Sequence, residues 1–512
     1  LTSKVYYNNN AKKFKDYFLK NNLVSEIFDL SPVRHIVFEK ADNPGSIIFF
    51  KHKLHKENDK IDNVIKHISL KQNKFFNKFS RDLVIEKFDK KEIHQKYFIS
   101  NKWLFKVALY GNTLDYYFLN RFDSLNKLSS KFKSNRIKFS KGAFKGTPKK
   151  HYTELIGLPI IKRKEFNDFF TNFRNDFNKI NEETCYLEAG RTRDLFIGKK
   201  IILQKSVSVD FKFSFVDFDC VFDSTVYGVG FHNNDKLAKV FTALLLSDFY
   251  VYFQYLTSSS WGVYIPEIYK EEHINFPFAE PSNEQTQNLV LLIDEFLQPY
   301  KDFYSEYPNM VYTGEPSKKV LDEINLIIEE IYQIKGYEKD LIDYVLNVSR
   351  YQFQDSKQHL VSNFNDTDYR NRCDVLEKYA DVYIEEFEKI YEEEFIQVEI
   401  YSLKHFIALN FVFLDKKPKE KIIYPDKKDE KEVLKCLADN LSIFQITDAK
   451  NSEYNLFIQK DIKGFEKNSF YIIKPNEYKC WHRAMAWYDV AEFKETIEES
   501  ELNNLNNNFD GF

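Results

Sequence analysis

The spacing of hydrophobic positions changes several times along this chain. Phe14, Tyr17 and Phe18 recur at helical spacing, whereas Ile36-Val37-Phe38 and Ile47-Ile48-Phe49-Phe50 are short apolar runs of the kind that form strands. The first sixty residues therefore predict an α/β layer. Residues 61–125 read as helical and basic, and 200–232 is rich in β-forming side chains. Leu237, Val240, Phe241, Leu244, Leu245 and Phe249 lay one core-facing stripe along a helix over 236–256. Acidic helices follow, over 288–300, 318–334 and 337–348, with 363–368 as a linker or helix cap and the Glu-rich 383–394 as a solvated face. Strands return at 398–401, 406–413 and 469–473, before a closing amphipathic helix over 483–497 and an Asn-rich tail at 501–512 expected to fray. The pattern as a whole is that of an α/β plus α+β multidomain protein.

At 512 residues there is room for about three or four domains with sizeable cores. No apolar run approaches the roughly 18 residues that a spanning helix needs, so no membrane partner is expected. The start at Leu1 has no signal-peptide pattern. Cys185, Cys220, Cys373, Cys436 and Cys480 lie far apart without a Cys-x-x-Cys, which argues against zinc knuckles and disulfide frameworks and fits a reducing cytoplasm.

Charge changes the picture more. The net charge of −3 conceals a basic first part, with 41 Lys and Arg against 22 acids in residues 1–200, and an acidic remainder, with 33 against 55. The densest stretch, 121–164, holds 13 basic residues and two acids. Lys131, Lys133, Arg136, Lys138, Lys141, Lys145, Lys149 and Lys150 lie there, interrupted by Gly142, Gly146 and Pro148. A flexible strap of this composition can follow a phosphate backbone and release its counterions; a solvated loop is the plainer alternative.

The run over 250–278 joins an apolar helix to Ser258-Ser259-Ser260-Trp261-Gly262 and then to Ile265-Pro266. It resembles the segment that closes the target-recognition region of adenine-specific DNA methyltransferases of the type IIG and BREX-like kinds. Leu1-Thr2-Ser3-Lys4, Phe14 to Leu19, Ile27-Phe28-Asp29-Leu30 and Ile47 to Phe50 are similar to the end of such a methyltransferase domain. The run over 103–115 resembles its post-catalytic segment, where a lysine-aromatic strand leads to a glycine and an aspartate. The run over 321–342 resembles the family's helical spacer.

The resemblance covers about residues 1–350 of this sequence. It implies the edge of a Rossmann-like methyltransferase sheet over 1–125, a mixed DNA-recognition domain over 126–280 and an acidic helical spacer over 281–394. A small C-terminal α+β module over 395–512 completes the organisation.

Catalysis is not legible in this chain. Adenine methylation needs an Asn or Asp followed by Pro-Pro and an aromatic to grip the extruded base, and no Pro-Pro occurs. Gly228-Val229-Gly230 lacks the third glycine of a cofactor loop and reads as an ordinary turn. S-adenosylmethionine is therefore implied for the complete enzyme, not for this chain alone, and no metal site is expected.

The candidate DNA contacts are the eight basic residues from Lys131 to Lys150, together with Arg191, Arg193, Ser259, Ser260 and Trp261. Arg191 and Arg193 could fork onto guanine or phosphate, or pair with Glu188 and Asp194. Ser258, Ser259, Ser260 and Gly262 could offer hydroxyls and N–H groups to phosphates, while Trp261 is a packing anchor or a base wedge. Cys480 and His482 read as packed or interface residues rather than nucleophile and base.

The expected function is sequence-specific recognition of double-stranded DNA for an adenine-specific methyltransferase in restriction–modification or phage defence, with a methyltransferase or other defence subunit as a further partner. The alternative is a protein-interaction subunit of a defence complex that touches DNA incidentally. A magnesium nuclease ranks last, because no Pro-Asp…Glu-x-Lys arrangement stands out.

Overall fold

The computed structural model describes residues 2–8, 11–38, 43–53, 63–71, 85, 87–147, 149–189, 191–207, 211–232, 234–351, 369–389, 395–403, 406–425, 462–465 and 468–494. The chain forms two compact units, one of residues 1–70 and 91–346, the other of 71–90 and 347–512.

The first unit opens with a four-stranded sheet made of β1 (Asn22–Asp29), β2 (Ser46–His52), β3 (Val64–Ser69) and β4 (Lys90–His94), in the order β2-β1-β3-β4. β1 runs antiparallel to β2 and parallel to β3. Gln95 ties the sheet to the helix before it: its amide donates to the carbonyls of Leu19 and Asn22 at 2.6 and 2.7 Å, and its carbonyl accepts from the Val24 N–H at 2.9 Å.

Three expectations change here. Ile36 and Val37 lie in a helical turn (Arg34–Val37), because Pro32 presets helical backbone in the preceding Ser31–Val33 turn and the Arg34 guanidinium donates to the Ser31 carbonyl. The stretch 61–125 contains the strands β3 and β4 as well as helices. Leu104–Tyr110 is a helix in which every residue is buried, not a strand, and Asn112 and Asp115 form the capping box of the next one.

A second sheet follows. Its region comprises β5 (Lys138–Lys141), β6 (Lys150–His151), β7 (Ile160–Ile161), β8 (Phe169–Phe170), β9 (Tyr186–Leu187), β10 (Lys199–Gln204), β11 (Phe213–Val216), β12 (Val221–Phe222) and β13 (Val226–His232). Five of these pair in the order β5-β13-β10-β11-β8, and β6/β9 and β7/β12 form two small ladders. Leu155, Ile161, Phe196, Ile202, Val216 and Phe222 belong to one buried core here.

Gly228-Val229-Gly230 lies inside β13, which corrects the expected turn. A Cβ on Gly228 would stand 2.0 Å from the Phe222 ring, and one on Gly230 would stand 3.0 Å from the Asp194 carbonyl, so both glycines serve close packing across the sheet.

The stripe over 236–256 is two helices, Asp235–Leu246 and Asp248–Thr257. Ser247 takes an extended backbone between them, and its hydroxyl accepts from the Tyr250 N–H, so a capping side chain starts a second helix in mid-stripe. The acidic helices are Asn283–Glu306, Lys318–Tyr332 and Gly336–Tyr344.

The second unit packs the helix Tyr369–Glu388 on a five-stranded sheet of β14 (Phe395–Ser402), β15 (Phe406–Leu414), β16 (Ile422–Ile423), β17 (Ile462–Phe465) and β18 (Ser469–Pro475), in the order β16-β14-β15-β18-β17. Tyr383 and Phe387 point into the core while Glu385 stays in solvent, so this helix is amphipathic. The buried Lys474 ammonium pairs with Asp489 on a helix over 483–494, and the Tyr379 hydroxyl donates to the same carboxylate at 2.7 Å. His482 is buried and Cys480 partly so. The expected linker at 363–368, the rest of the Glu-rich run, Cys436 and the tail at 501–512 lie outside the described residues. No helix among the described residues is long and apolar enough to cross a membrane.

Candidate nucleic-acid interface

The basic stretch is partly built into regular structure, with Arg136, Lys145 and Lys149 between the elements. Lys131 and Lys133 sit in the helix Leu128–Ser134, anchored by the buried Leu128 and Phe132, and Lys138 and Lys141 lie on the edge strand β5. The reason is local periodicity: Leu128 and Phe132 are one helical turn apart, and Phe139 alternates into the core between Lys138 and Ser140.

A cleft of about 600 Å³ opens between these elements, lined by Lys133, Arg136, Lys138, His232 and Lys270, with Asp194 the only carboxylate on its wall among the described residues. Phe132, Phe139 and Ile274 form its apolar floor. Among the described residues Lys133, Arg136 and Lys138 have no carboxylate partner. Lys131 does: its ammonium meets both oxygens of Glu280 at 2.7 Å, which neutralises it. Lys145, Lys149 and Lys150 are exposed further along, Lys150 on the small β6/β9 ladder.

Two residues of the cleft wall, Arg136 and His232, have strained backbone, as does Arg191 further along. Arg136, Arg191 and His232 adopt left-handed backbone with φ of 56°, 66° and 51°. Each such residue costs on the order of 1–3 kcal/mol, and strain of this kind concentrates where a side chain must be aimed. The Arg191 Nε donates weakly to the Gly142 carbonyl at 3.4 Å, while Arg193 is exposed on the turn Arg193–Leu195, next to the wall residue Asp194.

The Ser-Ser-Trp-Gly loop packs as a brace, with Ser258, Ser260 and Trp261 buried and Ser259 and Gly262 half-buried. Trp261 is 3% exposed and stands edge-on to Tyr255 and Phe211. The Ser260 hydroxyl donates to the Ile265 carbonyl at 2.6 Å, and the Ser259 N–H donates to the Glu272 carboxylate at 2.6 Å.

Beneath the loop, the ammonium of Lys106 donates to the carbonyls of Ser258 and Trp261, and the Tyr110 hydroxyl donates to that of Gly262. Burial pushes the Lys106 ammonium down to about 7, against a smaller opposing pull from Glu272. Nearby, burial lowers His273 to about 3, so it is neutral beside the Tyr250 hydroxyl.

Sequence reasoning missed Lys270 and His232 in the first cleft. It also missed a second basic group. Arg163 directs Nε and Nη2 to the Gln204 carbonyl, both at 3.3 Å, and Nη2 also to the Ser206 hydroxyl. The Lys205 ammonium lies 5.3 Å from the centre of the Tyr227 ring and donates to the Ser224 carbonyl at 2.7 Å. These residues are scattered in sequence: the pairing of β10 with β13 brings Tyr227 to Lys205, and the contacts of Arg163 with Gln204 and Ser206 bring it to the end of β10.

No protein-family model matches the chain, and no curated protein does. Among solved structures it is similar to the type IIL restriction-modification enzyme MmeI in complex with DNA, at 12% identity and a TM-score of 0.38, over 69% of this chain and 49% of that one. It is also similar to the HsdS subunit from Thermoanaerobacter tengcongensis, at 10% identity and a TM-score of 0.21, over 41% and 44%. The type IIG restriction endonuclease BpuSI gives 11% identity and a TM-score of 0.27, over 65% and 46%. The chain thus spans less than half the length of each of these structures. At such TM-scores the arrangements differ, and the geometry of the chain's own clefts is what bears on function.

Proposed function

We propose that this chain recognises duplex DNA on behalf of an adenine-specific methyltransferase in restriction–modification or phage defence, with the methyl donor S-adenosylmethionine held by the complete enzyme. One observation carries the DNA-binding part. Lys133, Arg136, Lys138 and Lys270 converge on a single cleft against one carboxylate. Four cations brought together with so little compensation repel one another until an anionic ligand neutralises them, and a polyphosphate backbone supplies such charges at regular spacing. Adenine specificity and the methyltransferase partner rest on the sequence resemblance.

Salt titration of the purified chain on duplex DNA tests the reading. Alanine at Lys133, Arg136 and Lys138 together should flatten the log–log salt slope by about 0.9 for each phosphate no longer neutralised, and should do so on every sequence. A slope equal to that of the wild type would remove this cleft from any DNA interface. Binding that vanishes under competitor DNA would favour the protein-interaction alternative.

A further inference from the structure

A second cleft of about 600 Å³ is lined by Lys162, Arg163, Lys164 and Lys212, with Asn167, Gln204 and Thr225 among its polar neighbours. Its acids are Asp168 and Asp223. Asp168 lies 3.6 Å from the Lys212 ammonium, and Asp223 accepts from the Thr225 N–H and hydroxyl.

Arg163 is exposed, yet its direction is fixed by two neutral acceptors, so its charge is oriented without being cancelled. Nε and Nη2 are the donors used. Nη1 keeps its two N–H groups for a ligand, and the parallel fork that reads guanine is already closed by Gln204. A single guanidinium nitrogen with lysines around it suits one phosphate oxygen rather than a base edge.

The edge strand β5 runs between the two clefts' surroundings. Lys138 in the first lies on the same edge strand as Lys141, and Lys141 pairs in register with Tyr227, whose ring lies beside Lys205. Burial first, and then the like charges of Lys141 and Arg163, lower the Lys205 ammonium against the pull of Glu267 and Asp223. Lys141 and Lys205 thus flank Tyr227 across two strand spacings, on the order of 10 Å, while Lys138, three residues from Lys141 on the same edge strand, points to the other face.

We propose that the second cleft is a further phosphate-binding site for the same duplex, with Arg163 as its oriented contact and Lys162 and Lys164 beside it. The inference rests on the DNA-binding reading above and extends the bound surface to the other end of the β5-β13-β10 ladder.

The test is a salt titration by fluorescence anisotropy on several unrelated duplexes. It uses the full chain, Arg163→Gln combined with Lys164→Ala, Arg163→Lys alone, and the first-cleft triple variant as a reference. The double variant should leave about two phosphates unneutralised, flattening the slope by about 1.8 and making the drop in affinity between about 50 and 200 mM salt roughly tenfold smaller. Arg163→Lys should keep most of the wild-type slope.

If the double variant keeps the wild-type slope while the first-cleft variant does not, this inference fails and the DNA-binding reading stands. If the wild type shows no salt-dependent binding, both fail. A change of preference confined to one base position would overturn the phosphate assignment in favour of base reading. Should Arg163→Gln disturb folding, Lys162→Ala with Lys164→Ala probes the same cleft, and an unchanged slope there counts against it equally.

Discussion

The Lys106 ammonium donates to the Ser258 carbonyl at 3.0 Å across 152 positions of sequence. A buried cation thereby holds a loop whose residues offer no carboxylate to it, using carbonyls alone. Replacing Lys106 by Met should destabilise the protein by about 2 kcal/mol, because two buried carbonyls lose their donor while the cost of burying a charge is relieved.

The pH dependence of that loss has a definite sign. The Lys106 ammonium is depressed to about 7 in the folded protein, below the ordinary lysine value of about 10.4 in the unfolded chain. Between those values the unfolded state binds the extra proton, so wild-type stability rises with pH there. Denaturant melts at about pH 7 and pH 9.5 should show the gap between wild type and Lys106→Met widening at the higher pH; a gap that stays the same would mean the amine is charged throughout.

Arg136 has left-handed backbone beside the first cleft. Arg136→Gly should therefore hold or raise the thermal midpoint, by relieving about 1 kcal/mol of strain, while weakening DNA binding. A loss of stability with unchanged affinity would assign Arg136 a packing role instead.

Trp261 separates packing from recognition. Trp261→Ala should cost about 3–5 kcal/mol, because the indole fills the space between Tyr255 and Phe211. DNA affinity per folded molecule should hardly change, and a folded variant with weakened affinity at one base step would restore the wedge.

Arg193 is the exposed arginine of the Arg191-Thr192-Arg193 loop. Arg193→Ala, assayed against a randomised duplex library, should cost about 1–3 kcal/mol on the preferred site and relax one position. Arg191→Ala should shift preference less, since its Nε is turned toward the Gly142 carbonyl. Identical libraries selected by Arg193→Ala and wild type would return this residue to the plain surface.

What could be seen in the sequence was periodicity and charge sign. The acidic helices, the strands of the second unit and the density of cations over 121–164 all follow from local pattern. Long-range pairing was hidden. A cap such as Ser247 breaks an apolar stripe without altering its hydrophobicity, and Leu104–Tyr110 is too uniformly apolar for periodicity to separate helix from strand. The same holds for the clefts. Lys131 and Lys133 look equivalent in sequence, but Glu280, far along the chain, cancels one and not the other. Arg163 and Lys205, 42 positions apart, come together through the contacts of Arg163 with Gln204 and Ser206 on either side of Lys205.

The second unit takes residues 71–90 from within the span of the first, so the chain passes between the two units three times. Neither unit can be inherited as one uninterrupted stretch of gene. A recombination carrying 347–512 into another lineage would leave 71–90 behind, matched to a module no longer present. Exchange of a segment between relatives is therefore simplest inside 91–346, where a continuous coding segment corresponds to a continuous piece of one unit.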